Sequence, residues 1–154
     1  MISEIAYAKI NLALHVRARR ADGYHLLESL FAFADDGDRI EVEPASELSL
    51  RLTGPFAPGL EGDGDNLALR AARAMQSRFG VDAGAAIRLD KRLPVAAGLG
   101  GGSADAAAVA RALARLWGLD AGEAELIEAV GPLGADVAVC VASRTVIGRG
   151  IGDE

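Results

Sequence analysis

Four of the five residues from Gly98 to Gly102 are glycine, and the chain passes from them into the alanine-rich run that begins at Ser103. Backbone without side chains can turn tightly and let another group come close, while the first N–H groups of a helix have no internal partner. Residues 94–105 therefore read as a loop whose amides, at the positive end of a helix dipole, are shaped for an anion. Walker A requires a lysine before its Ser/Thr, and none lies between Gly98 and Asp105; the dinucleotide pattern G-x-G-x-x-G matches at Gly98 and Gly100 and fails at Ser103. The plainer alternative is a connector followed by a helix that Ser103 caps, with Asp105 in its first turn. A connector does not need so many glycines, which favours the anion cradle.

The rest of the composition limits what that anion is. With 154 residues, 51% hydrophobic and 25% charged, the chain is long enough for one domain with a core. Its formal charge of -6 disfavours nucleic acid and anionic membrane as partners, since both call for a basic field. A phosphorylated small molecule fits better, because local amides bind it without net positive charge. No apolar run reaches the roughly 20 residues of a membrane span, and the N-terminus carries no secretion signal. The single cysteine, Cys140, fits a reducing cytoplasm and sits between two valines as a buried strand thiol. Two histidines and one cysteine make no His/Cys metal cluster, so no direct metal ligands are assigned.

Along the chain, residues 4–18 alternate, with Ile10, Leu12, Leu14 and Val16 on the apolar face and Lys9, Asn11, His15 and Arg17 on the other. Turn signals at 21–24 and 35–38 delimit a strand over 26–34, and further strands follow over 39–44 and 48–52. Residues 53–65 read as a surface loop, the best candidate for disorder. Asn66 caps a helix reaching Phe79, and a strand over 85–92 with Ile87, Leu89 and Lys91 in alternation delivers the chain into the glycine loop. Ala106, Val109, Ala110, Leu113 and Trp117 make a helix over 103–117 with Arg111 and Arg115 outside; a second helix spans 121–130, and strands follow over 137–141 and 144–147. Strands first, then helices interleaved with strands, predict a two-layer α+β sandwich: a mostly antiparallel sheet with helices on one face.

Three separated stretches agree on one family. Residues 8–12 (Ala-Lys-Ile-Asn-Leu), 20–25 (Arg-Ala-Asp-Gly-Tyr-His) and 93–103 (Leu-Pro through Gly-Leu-Gly-Gly-Gly-Ser), with 134–137 (Gly-Ala-Asp-Val) downstream, resemble the GHMP kinases. Asp-Gly-Tyr-His narrows the resemblance to those acting on the cytidine diphosphate derivative of methylerythritol. The chain departs from that pattern at Ala96 and Ala97, where glycines are common, at Ala104, where a second serine is, and at Ala138, where proline is.

The resemblance implies the fold of a ribosomal protein S5 second domain, ATP with Mg²⁺ as cofactors, and γ-phosphoryl transfer to an alcohol. It also implies that the chain is the N-terminal, ATP-binding domain of a longer enzyme. A C-terminal domain would be missing, with little activity alone and a surface open to self-association. Asp136 would accept the hydroxyl proton, and Lys9 would pair with it and balance the developing alkoxide. Pro94, Val95, Ala96, Ala97, Gly98, Leu99, Gly100, Gly101, Gly102, Ser103 and Ala104 would wrap the triphosphate, Ser103 assisting a phosphate oxygen or the metal, and Asn66 would approach the adenosine. Asn11, Tyr24 and His25 would bind the acceptor, the last two at its cytosine. From the residues alone, Asp136 after Gly134 reads as a helix cap or turn aspartate rather than a base and Asn66 as a simple helix cap, while Lys9 as a solvated strand lysine and Tyr24 and His25 as turn packing are the competing readings. A kinase for another small alcohol such as mevalonate or homoserine, and a non-catalytic nucleotide- or RNA-binding module, remain the alternatives.

Overall fold

The computed structural model describes residues 1–19, 25–60, 66–95 and 98–148. A long antiparallel pair, β1 (Ile2–Arg19) and β2 (His25–Ala45), forms the spine. The chain continues as β3 (Ser49–Thr53), α1 (Leu67–Phe79), β4 (Gly84–Asp90), α2 (Gly101–Leu116), α3 (Glu123–Val130), a 3₁₀ turn, α4 (Val137–Ala142) and β5 (Val146–Gly148). The sheet runs β1-β2-β4-β3, with β5 also on β2, and only the β3–β4 pair is parallel. Helix α2 lies against β1 and β2 and is flanked by α1 and α4, so helices form the second layer of the expected α+β sandwich. No helix among the described residues is long and apolar enough to cross a membrane.

The turn expected at 35–38 is absent, and 26–34 and 39–44 belong to one strand. Gly37 is there for proximity: a Cβ built on it would stand 2.1 Å from the Ala6 carbonyl oxygen, so only glycine lets β1 pass so closely. Tyr7 pairs with Gly37 and Lys9 with Phe33, so β1 advances two residues while β2 advances four. That bulge absorbs polar residues read as a turn, while Asp38, ahead of it and in phase with Ile40 and Val42, faces the core side, fully buried.

Past this irregularity, burial along β1 no longer follows simple alternation. Ala6 and Ala8 face the helices, as alternation requires, but Lys9 is also buried, at 3% exposure. Beyond it Ile10 and Leu12, expected on the buried face, are 38% and 60% exposed. Asn11 between them is exposed as well, so both faces of the strand are open there, and sequence alternation alone does not reveal where a bulge falls.

Helix α2 starts at Gly101, two residues before Ser103, behind Gly100 in the left-handed region (φ 63°). Neither Ser103 as cap nor Asp105 in the first turn holds. It is buried around most of its circumference because Ala104, Ala106, Ala107, Ala108, Ala110 and Ala112 let the sheet, α1 and α4 approach closely. Arg111, expected outside, donates to the Cys140, Val141 and Ile5 carbonyls and pairs with Glu4 at 3.0 Å. It thereby ties the end of α4 to β1.

The strand expected over 137–141 is α4. Val137, Cys140 and Val141 are its buried residues, at helical spacing, and a short apolar run does not distinguish the two by period. Cys140 is accordingly a helix thiol, whose burial pushes its pKa up to about 12. Residues 54–60, expected to be disordered, form turns held by Phe56 N–H to the Lys91 carbonyl (3.2 Å) and Leu60 N–H to the Ala57 carbonyl (3.0 Å).

Candidate active site

Lys9 and Asp136 meet at the junction of β1, the glycine loop and α4. The Lys9 Nζ lies 3.2 Å from Asp136 Oδ2, and the carboxylate is 40% exposed while the lysine is buried. The ammonium also donates to Asn11 Oδ1 at 2.8 Å and sits 4.6 Å from the centroid of the buried Phe31 ring. A carboxylate, an amide oxygen and an aromatic face thus fix its direction. Asp136 directly precedes α4, yet its side chain makes no capping hydrogen bond. It is therefore not acting as the cap that its place after Gly134 suggests.

The glycine loop lies against this pair. Lys9 N–H donates to the Leu99 carbonyl at 2.9 Å. A Cβ on Gly100 would come within 3.0 Å of Lys9 Cε and 3.1 Å of its Cβ, and its φ of 63° is one that L residues rarely adopt. Ala104 N–H donates to the Gly100 carbonyl (2.8 Å), opening the intrahelical ladder. The amides of Gly101, Gly102 and Ser103 stand ahead of that bond, where the dipole is positive. They border an open cleft of about 470 Å³ lined also by Pro94, Val95, Gly98, Leu99, Gly100, Leu60, Leu67, Asn66, Lys91 and Asp105. Asn66 caps α1 through Ala68 N–H (2.9 Å) and borders the cleft as well. Ala104 stands one step further in, with its side chain in the core.

Beneath the cradle lies a buried ionic group the sequence reading did not single out. Lys91 Nζ contacts Asp38 Oδ2 and Asp105 Oδ2, the latter at 2.7 Å. Asp38 Oδ1 accepts from the N–H groups of Arg92 and Leu93. Asp105 Oδ1 has no hydrogen-bond partner. Burial pushes the Asp105 carboxyl up to about 7, against the pull of the Lys91 ammonium and with the Asp38 charge adding to the rise. Burial alone would depress the Lys91 ammonium, but Asp105 and Asp38 more than reverse this and raise its pKa. One signal was available: Lys91 continues the Ile87, Leu89 alternation, and a charge in phase with a buried face needs partners.

The fold thus brings Lys9, Asn11 and Asp136 together and sets Pro94, Val95, Gly98 to Ser103 and Asn66 around one adjoining cleft. Ala96, Ala97, Tyr24 and the side chain of His25 lie outside the described residues. Among the described residues no three His, Cys, Asp or Glu side chains are grouped to hold a metal ion.

Residues 66–144 match the family described as the GHMP kinases N terminal domain. The chain is 55% identical over 153 residues to the 4-diphosphocytidyl-2-C-methyl-D-erythritol kinase of Sphingopyxis alaskensis, covering 98% of this chain and 54% of that protein. It is 58% identical over 153 residues to the enzyme of the same name from Rhizorhabdus wittichii, covering 98% and 52%. Among solved structures it is similar to a 4-(cytidine 5'-diphospho)-2C-methyl-D-erythritol kinase, with a TM-score of 0.81 at 43% identity over 99% of this chain and 53% of that one. The chain therefore spans about half the length of the curated relatives it matches.

Proposed function

Since the chain belongs to the GHMP kinase family, we propose that it is the N-terminal, ATP-binding domain of a 4-diphosphocytidyl-2-C-methyl-D-erythritol kinase of the non-mevalonate isoprenoid pathway. ATP would donate its γ-phosphoryl group to the 2-hydroxyl of the methylerythritol moiety. The observation that carries this reading is the Lys9–Asp136 pair, 3.2 Å apart, beside a cradle of helix N-terminal amides. A loose phosphoryl-transfer transition state asks the protein mainly for alignment and charge balance.

Asp136, partly exposed beside the cradle, would accept the acceptor's hydroxyl proton. A carboxylate is a weak base, adequate where proton loss comes late. Lys9 holds that carboxylate and offers its ammonium to the same oxygen as charge develops. Asn11 and Phe31 keep the ammonium pointed there. The amides of Gly101, Gly102 and Ser103 would receive the phosphates, and Asn66, which borders the same cleft, would approach the adenosine. Mg²⁺ neutralises triphosphate charge when bound; the hard oxygen donor Ser103 Oγ on the cleft suits an ion held chiefly by phosphate and water. Tyr24 and His25 are proposed to take the cytosine.

A C-terminal domain would complete the enzyme, and the exposed Ile10 and Leu12 beside Lys9 give it, or a second copy, an apolar face to cover. A reducing cytoplasm suits the buried free thiol of Cys140. The decisive assay compares the complete kinase with its Asp136→Ala variant on the cytidine diphosphate substrate, mevalonate and homoserine. Turnover is expected for the first alcohol only, falling on the order of 10² to 10⁴-fold in the variant with an unchanged circular dichroism spectrum. Near-normal turnover in Asp136→Ala would remove the assigned base. Robust turnover by these 154 residues alone would refute the two-domain reading.

A further inference from the structure

Asp38 on β2, Lys91 directly after β4 and Asp105 on α2 are 0%, 5% and 3% exposed. Desolvating three charges is costly, and well-packed apolar replacements for buried ion groups are often no less stable. Such a group is therefore better accounted for by the geometry it fixes than by the stability it adds.

Its connections show which geometry that is. Asp38 Oδ1 accepts from the N–H groups of Arg92 and Leu93, the residues that lead from β4 into the glycine loop. Asp38 Oδ2 holds the Lys91 ammonium, which donates at 2.7 Å to Asp105, in the second turn of α2 beyond the loop's far end. Gly101 lies directly above: a Cβ on it would be 3.6 Å from Lys91 Nζ and 3.8 Å from Asp38 Oδ2. One carboxylate on β2 thus reaches both ends of the loop.

We propose that Asp38 is a positioning residue that, through two backbone amides on one side and the Lys91–Asp105 bridge on the other, clamps both ends of the glycine loop and sets its shape before a triphosphate arrives. The proposal rests on the cleft being the triphosphate site. Loops are ordinarily the least protected parts of a fold, and ordering one on binding weakens affinity. A clamp anchored in the sheet removes that cost in advance.

Amide hydrogen exchange on the ligand-free chain tests the clamp without depending on the nucleotide. In Asp38→Ala, exchange at the hydrogen-bonded amides of Arg92, Leu93 and Ala104 should rise roughly 10- to 100-fold, the loss expected for charge-assisted hydrogen bonds. Exchange at Ile87 and Leu89 in β4 should stay near the parent value. Equal acceleration at all these amides would mean a merely structural carboxylate and would overturn the proposal, as would no change in the loop. Should Asp38→Ala not fold, Asp38→Asn, which keeps shape and an acceptor but loses the charge, should speed exchange near Ala104 more than at Arg92; the reverse order overturns the two-ended clamp. Titration with a non-hydrolysable ATP analogue and Mg²⁺ should then give weaker binding in whichever variant loosens the loop. If the loop loosens while parent and variant bind the analogue equally, the positioning role fails. If the parent chain and the complete kinase both ignore the analogue, the kinase reading fails and the exchange result still decides the clamp.

Discussion

Gly98 and Gly100 both have positive φ, 74° and 63°, but they differ in what surrounds them. A Cβ on Gly98 meets nothing within 4 Å, whereas one on Gly100 stands 3.0 Å from Lys9 Cε and 3.1 Å from Lys9 Cβ. Gly98→Ala should therefore cost the conformational penalty alone, about 1–2 kcal/mol for an L residue in the left-handed region. Gly100→Ala carries the same penalty and must also push the Lys9 side chain aside by a few tenths of an ångström or more, adding up to ~1 kcal/mol for an off-rotamer lysine. Lys9 has little freedom to yield, being held by Asn11 at 2.8 Å and Asp136 at 3.2 Å. Urea denaturation measures the stabilities, and ¹⁵N NMR of the lysine ammonium groups measures the displacement. The Lys9 signal should stay in place in Gly98→Ala and move in Gly100→Ala; in the complete kinase the second should lose more turnover than the first, by on the order of 10²-fold for a shift near 1 Å. An unmoved Lys9 signal in Gly100→Ala, or equal losses of turnover in the two variants, would refute the claim that Gly100 is there to make room for Lys9.

Other expectations follow from the buried carboxylate, the close strand contact and the arginine tether. Because the Asp105 pKa is raised in the fold to about 7, the native state binds one more proton than the unfolded chain between roughly pH 4 and 7. Asp105 therefore contributes stability that is complete below its unfolded pKa and lost as pH rises through the folded value, up to about 1.4 kcal/mol per pH unit; Asp105→Asn should flatten that slope in denaturation at a series of pH values. Gly37→Ala places a carbon 2.1 Å from the Ala6 carbonyl oxygen and should cost about 3 kcal/mol or more, lowering the melting temperature by roughly 6–12 °C. Arg111→Met removes the guanidinium's donation to the Cys140 and Val141 carbonyls, the first of which keeps the Ser143 hydroxyl, and hydrogen exchange in α4 should rise while α1 is unaffected.

Much of this fold was legible because its strongest signals are local. Asn66 before an amphipathic run, glycines ahead of an alanine-rich one, and Gly80 in the left-handed region after Phe79 each mark helix ends through their own chemistry. What escaped was set by contacts far apart in sequence. Gly37 looks like a turn until β1 is laid beside it, and Lys9 is buried by Phe31, the glycine loop and Asp136, all far from it in sequence. Residues 137–141 have strand-like composition, yet they sit where α2 and α3 favour a helix. The candidate site was legible in the same measure: the glycine cradle from its composition, Lys9 and Asp136 only through a family resemblance, and Asp38 and Asp105 not at all.

Lys9 and Asp136 lie at nearly opposite ends of the described chain, with the helical layer between them in sequence. The β1–β2 ribbon is local and can form within microseconds of being available, but the lysine on it gains its carboxylate only after α2, α3 and the 3₁₀ turn have been threaded into place. During synthesis the first strand leaves the ribosome several seconds or more before residue 136 does. Throughout that interval the strand carries a lysine without its counter-ion, so a nascent chain gains this ion pair only after β1–β4 and most of the helical layer, and a stall before α4 would leave those strands with the lysine unpaired by Asp136.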